Sequence, residues 1–196
     1  MLRATLRRFA GVCLAVFPAI VFQADHAVGM EQRTSTWVGA GAGWNWNARA
    51  SEDLGVGYDL HLSHRRGGLL LGARMTYGSS FYASSDEDLS YYDAALLVGA
   101  VRMSRAYVAS IAAGPAVTWG HGTRESSPEE VTCYHFCYKE FDFGPDPGLA
   151  VESQLLFRPA RSLGIGLYLF GNVNDGGSFF GVNFCIVGGS LPARVD

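Results

Sequence analysis

The chain has 196 residues, a formal net charge of −3, 17% charged residues and 13% aromatic ones. Few charges with many aromatics exclude a disordered chain, which needs the opposite balance. The 25 glycines argue against a helical domain, because each costs about 1 kcal/mol inside a helix.

Taken in order, the first element reads as a secretory signal. Arg3, Arg7 and Arg8 form a positive start, and Phe9 to Phe22 is an uncharged apolar stretch. That stretch has signal-peptide length and is short for a membrane-spanning helix. Ala27 and Gly29 suit a peptidase cutting after Gly29, with Ala24 as a second possible end. The expectation is a cleaved signal peptide over 1–29 and one domain over 30–196, with an uncleaved anchor as the alternative. Cys13 follows the bulky Val12, so it reads as a plain apolar signal residue rather than a lipid-attachment site. Cleavage removes three of the 15 basic residues and one of the 18 acidic ones, leaving 12 against 17. No basic run exists, so nucleic acid has no electrostatic footprint here.

Eight segments follow, each alternating with a period of two, the mark of strands. Thr36 to Asn47 sets Val38, Ala40, Ala42, Trp44 and Trp46 against glycines and asparagines. Leu54 to Ser63 sets Leu54, Val56, Tyr58, Leu60 and Leu62 against Asp59 and His61. Leu69 to Gly78 sets Leu69, Leu71, Ala73, Met75 and Tyr77 against Arg74 and Thr76. Tyr91 to Arg102 alternates more weakly, with Leu96 and Val98 opposite Asp93 and Leu97. Arg105 to Trp119 sets Tyr107, Ala109, Ile111 and Val117 against Ser110, Gly114 and Thr118, and Pro115 demands a local irregularity. Gly148 to Arg158 sets Leu149, Val151, Leu155 and Phe157 against Glu152 and Gln154. Leu163 to Asn172 and Phe179 to Gly188 complete the set.

An even number of such strands suits antiparallel closure, which leaves no unpaired edge in lipid. The second face carries few charges and many glycines, as a narrow filled lumen requires. A soluble sandwich would show charge there instead. The connections after strands two, four and six are short and basic: His64 to Gly67, Arg102 to Arg105, and Pro159 to Arg161. Those after three and five are long and acidic: Gly78 to Ser90, and Gly120 to Pro147.

On this strand pattern and loop order, Thr36 to Leu191 resembles the small eight-stranded outer-membrane β-barrel proteins. The resemblance implies an all-β, antiparallel up-and-down transmembrane barrel in a bacterial outer membrane, porin-like in pattern. It implies a monomer with short turns on the periplasmic side and long loops outside.

Asp59, His61, Arg74, Asp93, Glu152, Gln154 and Asn183 are expected to form a polar network in the lumen, with Arg74 paired to Glu152 or Asp93. Buried charges need such partners. His61, Ser63 and His64 superficially suggest a His/Ser hydrolase, as in outer-membrane lipid A deacylases. Their serine element lies in a late strand and faces lipid, whereas this run lies in the second strand and turns inward. No oriented acid can be placed from sequence, and a serine nucleophile needs one. Cys133 and Cys137 sit in the longest outer loop and are a disulfide candidate in an oxidising compartment. A metal held by them with His121 and His135 lacks a second closely spaced pair. Trp37, Trp44, Trp46, Trp119, Tyr58, Tyr77, Tyr91 and Tyr92 are expected in interfacial girdles.

No catalytic motif, cofactor site or metal site emerges. The expected role is structural or surface-interacting, with outer-membrane lipid around the wall and an extracellular partner at the loops. The alternatives are a lipid-modifying enzyme and a soluble exported barrel holding a small apolar ligand.

Overall fold

Alternating side chains commit the chain to strands, and one strongly apolar face decides which side turns outward. The computed structural model describes residues 34–47, 54–80, 87–104, 106–125, 138–160 and 162–191. The signal segment 1–29 and the Cys133–Cys137 pair lie outside the described residues.

The strands are β1 (Thr34–Asn47), β2 (Leu54–Arg66), β3 (Leu69–Ser80), β4 (Glu87–Met103), β5 (Tyr107–Glu125), β6 (Tyr138–Ala160), β7 (Leu163–Asn174) and β8 (Phe179–Gly189). Each pairs antiparallel with its sequence neighbours, and β1 pairs with β8 to close the barrel. Short turns follow β2, β4 and β6, and longer connections follow β1, β3 and β5. The β2–β3 turn needs only Gly67 and Gly68, with Gly67 at φ +64°, a conformation that a tight hairpin demands and glycine adopts without strain.

The barrel is apolar on the outside. Leu60, Leu96, Leu149, Leu155, Phe157, Phe184 and Ile186 are all more than half exposed on its wall. Tyr58, Tyr77, Tyr92 and Trp119 lie directly across from one another on β2 to β5. Their rings meet in sequence, with centroids 6.4, 5.1 and 5.9 Å apart. They form one aromatic row on the outer surface near the loop end. Trp37 and Tyr91 do not belong to such a girdle, contrary to the expectation from strand-end position. Both are on the inward alternation and are buried at 0% and 1% exposure.

The ladders have two irregularities, one at Pro115, where the sequence calls for it, and one elsewhere. At Pro115 the β4–β5 pairing stops after Ala95↔Ala116 and resumes at Val98↔Ala113 in the same register. The missing proline N–H interrupts the ladder without shifting it. The register slip occurs instead between Thr118 and Gly120, where β6 carries one extra residue across from β5.

The expected loop from Gly120 to Pro147 is largely strand. β5 continues to Glu125 and β6 begins at Tyr138, so the two run on as a paired ribbon, with β4 flanking β5 as far as Arg124. Likewise β3 extends to Ser80 and β4 begins at Glu87, inside the expected loop from Gly78 to Ser90. Along this extension Glu140 and Asp142 are exposed on the outer side, while Gly122 is buried and Phe143 packs against the core on the inner side, so the outward apolar residues that mark the wall are missing.

Candidate functional site: the sealed lumen

Inward positions on the eight strands build a filled interior in three levels. At the turn end Trp37, Leu70, Val108, Leu156, Val187 and Leu191 form an apolar plug. Leu191 reaches it because the chain bends after β8, with Ser190 N–H donating to Thr36 O at 2.8 Å. At the loop end Leu89, Tyr91 and Phe179 are buried, and Phe143 packs against the same core. The Tyr91 and Phe179 rings meet at 4.5 Å.

Between these plugs lies the polar level. Asp59, His61, Arg74, Asp93, Glu152, Gln154 and Asn183 are all buried there, none more than 5% exposed. Six of the seven form two clusters. In the first, Asn183 Nδ2 donates to Asp59 Oδ1 at 2.5 Å, and Asp59 Oδ2 lies 2.7 Å from His61 Nδ1. The His61 ring stacks on Tyr168 at 4.8 Å, and the Tyr168 hydroxyl donates to Glu152. In the second, Arg74 pairs with Asp93. Thr118 Oγ1 donates to Asp93 Oδ1 at 3.0 Å, and Asn172 Nδ2 donates to the same oxygen at 2.5 Å. Of the two carboxylates that the sequence offered to Arg74, Asp93 makes the contact.

An aromatic wall joins the clusters. The Arg74 guanidinium lies over the Phe170 ring, 5.5 Å from its centre, and Phe170 stacks on Tyr168 at 5.7 Å. A cation over an aromatic face gains electrostatic attraction, more so away from water. Space for these rings comes from inward glycines. A Cβ on Gly39 would lie 2.2 Å from His61 Nε2, and one on Gly181 would lie 2.3 Å from Phe170 Cζ.

Sequence reasoning did not single out Thr118, Tyr168 and Asn172 as members of this network. Each shares the inward alternation of its strand, and that parity was the available signal. Gln154, by contrast, is in the level but joins neither cluster, since both its amide atoms lack a partner among the described residues.

The His-Leu-Ser-His run divides. His61 and Ser63 point into the lumen, and Ser63 Oγ has no partner among the described residues. His64 sits at the turn-end rim, where its Nδ1 lies 2.8 Å from Thr36 Oγ1. Ser63 therefore faces the lumen and not the outer wall. Among the described residues no group of three metal-binding side chains occurs. Cys185 is a buried free thiol in β8.

Neither protein-family models nor curated proteins show a match to the sequence. Solved structures do match. Neisserial surface protein A superposes with a TM-score of 0.56 at 12% identity, over 80% of this chain and 99% of that one. Ail, the attachment invasion locus protein of Yersinia pestis, gives a TM-score of 0.52 at 13% identity, over 82% and 99%. At such identities the likeness is one of architecture, and it agrees with the closed antiparallel eight-strand order. The chain has the fold of the small eight-stranded outer-membrane β-barrels.

Proposed function

We propose that this chain is an integral outer-membrane protein, exported by a signal peptide over 1–29, with a structural or surface-interacting role. The observation that carries this reading is the pairing of an apolar exterior with an interior plugged at both ends. Exposed leucines and aromatics around a closed wall suit a bilayer, where every backbone group must be satisfied internally. A filled lumen argues against conduction, because an eight-stranded barrel has room inside only for its own side chains. In this reading the lumen residues, Gln154 apart, hold the barrel closed through their contacts, and the contact surface is the ribbon and connection from Thr123 to Asp146.

Outer-membrane fractionation with heat-modifiable gel migration tests the reading. The expected result is a compact unboiled band that shifts on boiling, found with the outer membrane. Free protein in the periplasm without a shift would favour a soluble barrel instead. The surface role is tested by replacing 126–137 with a short turn. Migration should persist while binding of whole cells to an extracellular surface falls; unchanged binding removes the role from this loop.

A further inference from the structure

The described charges are unevenly divided along the barrel axis. At the loop end Asp88, Glu140, Asp142, Asp146 and Asp175 outnumber Lys139 and His121. At the turn end stand His64, Arg65, Arg66, Arg102 and Arg158, and no described Asp or Glu is exposed in that half. The basic side chains come from three successive turns but converge. Arg65 donates from Nη1 to Met103 Sδ at 2.7 Å, at the end of β4. Arg158 donates from Nη1 to Ser104 O at 3.4 Å, on the next residue of the chain. Arg65 and Arg158 thus both reach the β4–β5 turn, from opposite sides of it. Arg66 and Arg102 occupy outward positions and are exposed.

The apolar wall ends where this rim begins. Arg66 pairs directly with Leu69, which is 47% exposed on the outer face. Tyr107 and Leu163 border the other two turns and are exposed in the same way. In a bilayer that covers the wall, these arginines stand at headgroup height.

We propose that the turn-end rim is a docking surface for the phosphates of anionic glycerophospholipids, in the leaflet that the short turns face. The inference rests on the outer-membrane reading above. Guanidinium groups match phosphate oxygens in geometry and stay charged at any working pH. Basic residues at a bilayer surface are attracted to anionic lipid, and the attraction decays over a Debye length. The acidic loop end repels the same headgroups, so the preference belongs to one end of the molecule.

The test uses the mature barrel in phosphatidylcholine vesicles with spin-labelled phosphatidylglycerol or phosphatidylcholine, and reads the fraction of each label immobilised at the protein. The expected result is an enrichment of phosphatidylglycerol of at least about threefold at low salt, falling toward parity in molar salt. The variant R65Q/R66Q/R102Q/R158Q should lose most of the enrichment, and E140Q/D142N should keep it. Heat-modifiable migration of each variant confirms that it is folded, and the exposed pair R66Q/R102Q alone should remove a measurable part. A wild-type barrel that inserts but shows parity overturns the proposal alone, as does a loss of equal size in E140Q/D142N. A protein that does not enter vesicles overturns both this proposal and the outer-membrane reading.

Discussion

Within β6, residues 148–157 turn Leu149, Val151, Leu155 and Phe157 outward and Glu152 and Gln154 inward. Residues 140–143, on the other side of a register slip, reverse that order. There Phe141 and Phe143 lie against Gly122 and Gly120, and Glu140 and Asp142 are exposed. The extra residue of β6 lies between the two regions, so the face that carries apolar groups changes across it. On the outer-membrane reading, the wall is built for a surrounding apolar solvent, and the ribbon for water. The backbone is continuous, so the medium around each part accounts for the sign of its pattern.

The comparison breaks most severely in the lumen, where neither medium reaches. Arg74→Ala leaves Asp93 buried with two neutral donors and no cation. The expected loss is about 3–5 kcal/mol, as for other buried pairs that lose one partner. Urea unfolding of the barrel in vesicles, followed by tryptophan emission, measures it. The double variant Arg74→Met with Asp93→Leu should recover most of the loss. A double variant as unstable as the single one would mean that Arg74 acts through its stacking on Phe170 rather than through its charge.

The wall comes next. Leu96 is 67% exposed on the outer face of β4. Leu96→Arg should cost about 2–4 kcal/mol in the same assay if that face meets the middle of a bilayer. A neutral effect would place water against Leu96 and remove the membrane reading. A smaller effect is expected at Gly39→Ala, whose new methyl would collide with the His61 ring. Forced overpacking of this kind costs about 1–3 kcal/mol. Thr36→Ala, which removes only the contact to His64 at the rim, serves as its control.

These regions were unequally legible in the sequence. The wall announced itself because each strand keeps one parity over its whole width, and the inward set Asp59, His61, Arg74, Asp93, Glu152, Gln154 and Asn183 follows from that parity. Partner choice did not follow, since Asp93 and Glu152 are equally inward and it is the β3–β4 register, with Thr76 opposite Asp93 and Arg74 opposite Ala95, that brings Asp93 to Arg74. Trp37 and Tyr91 were misplaced because closeness to a strand end was weighed above parity. The ribbon was hidden because two alternations of opposite sign meet at Gly144 and Pro145, residues that also signal a turn. Read separately on either side of the slip, each run is a strand.

The smallest effect is expected at Asp142→Leu. Asp142 is exposed on the ribbon and stands beside His121 across the β5–β6 pair. Water solvates both states of the chain at that position, so the exchange should change stability by no more than about 0.5 kcal/mol in either direction. The same unfolding assay decides it, run beside Leu96→Arg. A clear gain for Asp142→Leu would mean that lipid reaches the ribbon, and the change of pattern at the bulge would then have a cause other than the medium. A clear loss would mean that the carboxylate is held by a neighbour, and pairing it with His121→Ala would show whether that neighbour is the imidazole. No change, against a loss at Leu96, would place the edge of the bilayer between these two residues, which is where the aromatic row through Trp119 lies.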